Sequence, residues 1–236
     1  MRPIGILGGM SWVSTAHYYA TLNRMTAQRL GGLHSAHILM HSVDFAPIAR
    51  MQSDDDWQGA GAVLADAARG LERAGAGLLL IATNTMHRVA DQVAAAVDLP
   101  LVHIADATAD AIVAAGLRRP GLIATSYTME QRFYLDRLRA AGLAPVVPDA
   151  EARAKVHRII FDELVRDDVR ENSRLTFERV AAELVAQGAD CVILGCTEVG
   201  LLLHAGNVPV PVFDTVDIHC RAALEAACFE NGEIHV

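Results

Sequence analysis

Short apolar runs alternate with longer amphipathic stretches along the whole chain. "PIGILGG" (3–9) is a continuous apolar run closed by glycines, the pattern of a strand buried on both faces. "TAHYYATLNRMTAQRL" (15–30) has helical spacing and stops at Gly31 and Gly32. Further strands are expected at 35–45, 76–83 and 100–104. Helices are expected at 54–75, where acids open the first turn and Gly closes the last, and at 86–97. The second half repeats the plan. Strands are expected at 120–126, 144–148, 190–196 and 208–214. Helices are expected at 128–142 with Thr128 as cap, at about 150–166, at 172–188 and at 215–228. Such βαβ alternation predicts an α/β protein with parallel sheets and helices on both faces.

The halves can be laid over each other. "PIGILGG" matches "PGLIATS" (120–126), "GLLLIATNT" (77–85) matches "CVILGCTE" (191–198), and "LPLVHIADAT" (99–108) matches "VPVPVFDTV" (208–216). Three matches in one order point to a duplicated, Rossmann-like lobe and hence to a pseudo-twofold pair. The expected division is a first lobe of 1–106 plus 215–236, completed by the C-terminal piece, and a second of 107–214. No Pro/Gly/Ser linker marks a boundary, so the site is expected in a cleft between the lobes.

Composition narrows the partners. The formal net charge is −8 with no Lys/Arg block, which argues against nucleic acid and anionic membranes. No apolar run approaches the roughly 18–20 residues of a membrane span. "MRPIGILGGMSW" has one Arg and a short apolar run with no small-x-small cleavage site, so it reads as a first strand and not as an export signal. The four cysteines, Cys191, Cys196, Cys220 and Cys228, form no C-x-x-C pair, and a chain with an ample core does not need disulfides. A reduced, cytoplasmic protein is expected.

Three stretches put small and polar groups at strand ends, where ligands collect in parallel α/β sheets: "GGMSWVST" (8–15), "TNTMH" (83–87) and "CTEVG" (196–200). Gly8 and Gly9 allow close approach of the backbone. Each stretch leads into a helix, and a helix start favours a carboxylate. Cys196 follows Gly195 at such an end, so a thiolate acting as base or nucleophile is expected. Thr83 holds the matching place. Its hydroxyl is a far weaker acid, suited to relaying a proton through water. Asn84 and Thr85 beside it can hold a carboxylate or an amine. "GILGGM" is not a dinucleotide fingerprint, and no P-loop is present. His37 and His41 share a strand face while His34 does not, so no metal site is expected there.

These residues resemble the aspartate/glutamate racemase family, whose members are cofactor-independent and carry two homologous α/β lobes. "GILGGMSWVST", "TNTMH" and "GCTEVG" carry the resemblance, supported by "HSVDF", "YTMEQRFY", "RIIFDEL" and "FDTVDIH", and it covers nearly the whole chain. The likeness is greatest to the branch that acts on L-aspartate and L-glutamate with broad specificity. It implies proton abstraction from Cα by one group and reprotonation on the opposite face by another, without cofactor or metal. Cys196 would face the α-hydrogen of the L-enantiomer. Asn84, Thr85 and Thr197 would hold the α-carboxylate and amine, and Glu198 would bind the ammonium or tune Cys196. Met10 and Ser11 in their loop, Gln52 and Lys155 would meet the distal carboxylate. A homodimer is also implied. Thr83 stands where the commonest pattern has a second Cys, so the site is expected to be asymmetric and to act best from the L side. Arylmalonate decarboxylases, hydantoin racemases and maleate isomerases share the duplicated lobe, and a non-catalytic amino-acid-binding protein is a further alternative.

Overall fold

The computed structural model describes residues 1–230 and 233–234; positions 231–232 and 235–236 of the expected C-terminal piece lie outside the described residues. The chain divides into two units: Met1–His103 together with the chain from His219 onward, and Ile104–Ile218.

In the first unit β1 (Ile4–Gly8) leads into α1 (Trp12–Leu30). β2 (Ile38–Ser42), α2 (Phe45–Ser53), α3 (Trp57–Arg73) and β3 (Leu78–Ile81) follow. A 3₁₀ turn (Thr85–Val89) and the short α4 (Ala90–Ala94) close the run. The sheet order is β2-β1-β3, all parallel, with Leu101 bridging to Leu79 beyond β3. β1 and β3 are buried at every position, as a strand covered on both faces must be. α3 turns Trp57, Ala60, Gly61, Leu64, Ala68 and Leu71 inward at three- and four-residue spacing, one apolar stripe against the sheet.

The second unit begins with α5 (Ile104–Ala114), β4 (Pro120–Ile123), α6 (Ser126–Glu130) and α7 (Arg132–Ala140). It continues with α8 (Ala150–Asp162), α9 (Glu171–Ala186), β5 (Cys191–Leu194) and β6 (Val212–Asp214). α10 (Thr215–Cys228) starts in this unit and enters the first at His219. The sheet order is β4-β5-β6, again parallel, with Val146 bridging to Gly121 beyond β4. The core of this unit gathers Ile112, Leu122, Ile123, Tyr134, Leu138, Ile160, Phe177, Leu184 and Ile193. Each such large side chain contributes roughly 1.5–3 kcal/mol on full burial.

Several expected elements change. The strand expected at 35–45 ends at Ser42, and its tail starts a helix. Asp44 caps α2 by accepting from the Ala46 N–H at 3.2 Å, and Pro47 falls in the first turn, where a missing N–H costs nothing. The strands expected at 100–104 and 144–148 shrink to single bridges. The first of them runs directly into α5 at Ile104. The helix expected at 128–142 is broken at Gln131, which is extended (ψ 151°). Its cap is Thr125, not Thr128: the Thr128 N–H donates to the Thr125 hydroxyl at 3.4 Å.

The internal overlay also moves by one residue. Leu7 pairs with Ile81 as Ile123 pairs with Leu194. The Ala82 N–H then donates to Leu7 O at 2.9 Å, and the Gly195 N–H donates to Ile123 O at 2.8 Å. Leu7, not Ile6, therefore answers Ile123. In a strand one step reverses the face of every side chain, and only the shifted register puts Gly5 opposite Leu79 as Gly121 is opposite Val192. A Cβ on Gly5 would meet Leu79 Cδ2 at 2.8 Å, and one on Gly121 would meet Leu184 at 3.1 Å. With this register Thr83 and Cys196 each stand two residues past the last paired residue, Ile81 and Leu194.

Candidate active site

In the first unit the end of β1 and the turn after β3 are laced together. Gly9 has φ 94°, and a Cβ there would fall 2.1 Å from Val43 O, so only glycine fits. Its N–H donates to Thr15 Oγ1 at 2.8 Å, and the Thr15 hydroxyl donates to Ser11 O at 2.8 Å. Ser11 caps α1 by accepting from the Ser14 N–H at 3.2 Å. The Ser14 hydroxyl then reaches Ala82 O at 2.8 Å, which ties this loop to the residue before Thr83. Met10, Ser11, Gln52, Thr83, Asn84 and Thr85 are all buried, none more than 9% exposed. Gln52 comes in from α2 and donates through Nε2 to Met86 Sδ at 3.0 Å, while its Oε1 is buried with no hydrogen-bond partner. The resemblance-implied residues of this unit thus lie on three neighbouring segments.

Behind the Thr83 turn lies a group that local pattern did not reveal. His87 Nδ1–H donates to Thr83 O at 2.8 Å. The His87 ring lies 4.5 Å from that of His103 and 5.6 Å from that of His219, centroid to centroid. Tyr18, from α1, meets His219 Nδ1 at 2.8 Å, and His219 Nε2 meets Val102 O at 2.8 Å. Burial holds the His219 pKa down at about 4, so its ring is neutral. His87 ends "TNTMH" and His219 ends "FDTVDIH", but no local pattern pairs two positions more than a hundred apart.

In the second unit Cys196, Thr197 and Glu198 follow Gly195 and precede a 3₁₀ turn (Val199–Leu201). A Cβ on Gly195 would press Leu122 Cδ1 at 2.6 Å, so glycine lets the turn pass close over β4. The Leu194 carbonyl accepts from the Thr215 hydroxyl at 2.8 Å. Glu198 Oε2 accepts from the Cys196 thiol at 3.0 Å and from the Thr197 hydroxyl at 2.6 Å. All three side chains are buried.

This geometry corrects the expected thiolate. Burial first, then the Glu198 charge and its hydrogen bond, push the Cys196 pKa well above that of an ordinary thiol. A three-residue 3₁₀ turn has too little aligned dipole to reverse that. The resting pair is a thiol donating to a carboxylate, and thiolate forms when the proton leaves Sγ.

Lys155 stands apart from this turn. It lies half-buried in a surface groove of about 350 Å³ between α8 and α9, with Asp149, Glu151, Arg179 and Glu183. The opposite face of α8 turns to the loop after β4, where His157 Nδ1 accepts from the Ser126 N–H at 3.2 Å and packs edge-on against Tyr127. On a helix, residues two apart point nearly opposite ways, so Lys155 is turned away from the strand ends. Among the described residues no three His, Cys, Asp or Glu side chains are grouped to hold a metal ion, and no helix is long and apolar enough to cross a membrane.

The family model for Asp/Glu/hydantoin racemases matches residues 7–223. The chain belongs to that family. It is accordingly an isomerase of the racemase type. Among solved structures it is similar to a Yersinia pestis protein provisionally described as an Asp/Glu racemase, with 48% identity, 96% of this chain and 99% of that one covered, and a TM-score of 0.89. It is also similar to an aspartate racemase homologue from Pyrococcus horikoshii OT3, with 36% identity, the same coverage and a TM-score of 0.84. The aspartate racemase of Picrophilus torridus shares the fold at 20% identity, with 96% of this chain and 94% of that one covered and a TM-score of 0.79.

Proposed function

We propose that this protein racemises a small acidic amino acid, aspartate or glutamate, by moving the Cα proton without a cofactor. The observation that carries this reading is the buried Cys196–Glu198 pair, Sγ to Oε2 at 3.0 Å, at a strand end that answers the Thr83 turn residue for residue. Family membership and the descriptions of the two more similar structures support the acidic substrate.

Each group has a step. Glu198 takes the Cys196 proton, and the thiolate removes the α-hydrogen of the L-enantiomer. The electron pair left on Cα spreads into the α-carboxylate, and hydrogen-bond donors around that carboxylate stabilise it. Asn84, Thr85 and Thr197 are assigned to the α-carboxylate and amine, and Met10, Ser11 and Gln52 to the distal carboxylate. Thr83 delivers the new proton to the other face, through a water it orients; as product leaves, Glu198 gives its proton up to solvent and the Thr83 side regains one, so the cycle has no net proton change. Since Thr83 is no thiol, the rates from the two enantiomers differ, while their equilibrium cannot. A single thiol at the two matching turns also suits an enzyme that delivers one proton, such as an arylmalonate decarboxylase, a reading that α-proton loss with D-product in the test below would remove.

We further propose that the chain works in the reducing cytoplasm as a homodimer. Trp12, Tyr19 and Met40, 63%, 53% and 40% exposed, line one shallow apolar face on α1 and β2 that a second copy would cover.

The test is proton NMR of L-aspartate and L-glutamate in deuterated water with the pure protein, followed by chiral analysis. Loss of the α-proton with appearance of D-product is expected. Loss with retained L configuration would remove Thr83 from the mechanism. No loss with either acid would defeat the acidic-racemase reading, and saturable binding without exchange would mark an amino-acid-binding protein.

A further inference from the structure

The three buried imidazoles of the first unit have no step in the chemistry above, yet one of them bonds directly to Thr83. A buried polar ring costs free energy unless its hydrogen bonds are made, and an apolar side chain would fill the same space at less cost. We propose that His87 is a positioning residue: it sets the backbone of the Thr83–Thr85 turn, and His103 and His219 hold its ring in place. The assignment rests on the racemase reading for what the turn does, and on geometry alone for how it is held.

The direction of each hydrogen bond follows from chemistry. A carbonyl oxygen only accepts, so His87 Nδ1 carries the proton that it shares with Thr83 O. By the same reasoning His219 Nε2–H donates to Val102 O. In the neutral ring Nδ1 of His219 is then an acceptor, and it accepts a hydrogen bond from the hydroxyl of Tyr18, which is fully buried. His219 is thus fixed at both nitrogens. Its ring meets that of His87 at 64°, and His103 meets it at 65°, both in edge contact. His87, 2% exposed, has no room to swing away from Thr83 O. A restraint runs from α1 and α10 through His219 to His87 and on to the carbonyl of the residue whose hydroxyl must be aimed. At the matching turn the Cys196 carbonyl accepts from the backbone N–H of Val199 at 3.0 Å. An imidazole does in one turn what the main chain does in the other.

The test uses the full-length wild type, His87→Asn and His87→Leu. The Asn amide places an N–H near the position of Nδ1–H, while Leu fills volume without a donor. Long-range proton–nitrogen spectra of ¹⁵N-histidine-labelled protein are expected to show a buried imidazole in the Nδ1–H form that is missing from both variants. In His87→Leu the racemisation kcat is expected to fall by about tenfold to a hundredfold with KM changing less, the effect of a misplaced reacting group. In His87→Asn most of that loss should return. Equal losses in the two variants, or a wild-type His87 in the Nε2–H form, would overturn the proposal. If the wild type racemises nothing, the racemase reading fails by itself. The backbone amide shifts of Thr83–Thr85 then decide: they move in His87→Leu and return in His87→Asn if His87 positions the turn, and show no such recovery if it does not.

Discussion

The turns after β3 and β5 occupy the same place in two similar sheets but are built from different chemistry. Each begins with a backbone N–H donated to the neighbouring strand, Ala82 to Leu7 and Gly195 to Ile123. Beyond that point the second unit puts a thiol and a hydroxyl within hydrogen-bond reach of one carboxylate oxygen. The first puts a hydroxyl and an amide on a carbonyl frame held by Ser14 and His87. One turn is equipped to hold and release a proton. The other is equipped to hold a shape. A shared backbone thus sets where two groups stand, while the side chains that press on them set what each does.

The largest expected effect removes the proton-handling turn. Cys196→Ala should lower α-proton exchange by roughly 10²–10⁴-fold, the range for a lost acid–base group; exchange at the wild-type rate would move the chemistry to the other turn. Thr83→Cys gives the first turn the group that the second already has. A second thiol should speed α-proton loss from the D-enantiomer by about tenfold or more, and chiral analysis against the wild type reads it.

Glu198→Gln should slow exchange from the L-enantiomer by about tenfold and make the thiol easier to ionise. The sign follows from the cause. The Glu198 charge helps hold the Cys196 pKa up, so removing it lowers that pKa, and alkylation by iodoacetamide should rise with pH earlier than in the wild type. Alkylation profiles that coincide would show that burial alone sets the thiol.

Acid should loosen the imidazole-held turn. His219 has a folded pKa of about 4 against 6.5 for the free side chain. Its contribution to stability is full above 6.5 and is lost as pH falls towards 4, because the unfolded chain takes up the proton first; the size is on the order of 3 kcal/mol. Urea unfolding at a series of pH values should show that loss, reduced in His219→Asn. The smallest effect belongs to Lys155→Ala. A half-exposed groove residue should change stability by no more than about 0.5 kcal/mol, and the substrate KM should not move; a large rise in KM would return Lys155 to the substrate.

Much of the fold could be read from periodicity because strands buried on both faces and amphipathic helices imprint short-range patterns. β1, β3, β4 and β5 lie within expected runs, and α3 and α9 lie close to theirs. What failed did so where a local pattern had competitors. The run "SAHILMHSVDF" is strand only over Ile38–Ser42; Asp44 then offers a cap, and the backbone turns helical. "PLVHI" has strand composition but only one residue in ladder contact before α5 begins. At the site, Thr83 and Cys196 were legible as the polar residues that end apolar runs. The groove position of Lys155 was not legible, because the face a helix presents depends on what packs against it.

The two sheets, the two turns and the asymmetry between a hydroxyl and a thiol are written in residue identity and periodicity, which act over a few positions. Tertiary structure decided the register that pairs Leu7 with Ile81 and Ile123 with Leu194. It decided that Cys196 rests as a thiol against Glu198, and that His219, Tyr18 and His103 stand behind His87. Protonation and aim depend on burial and on partners more than a hundred residues away, and neither leaves a local trace in the chain.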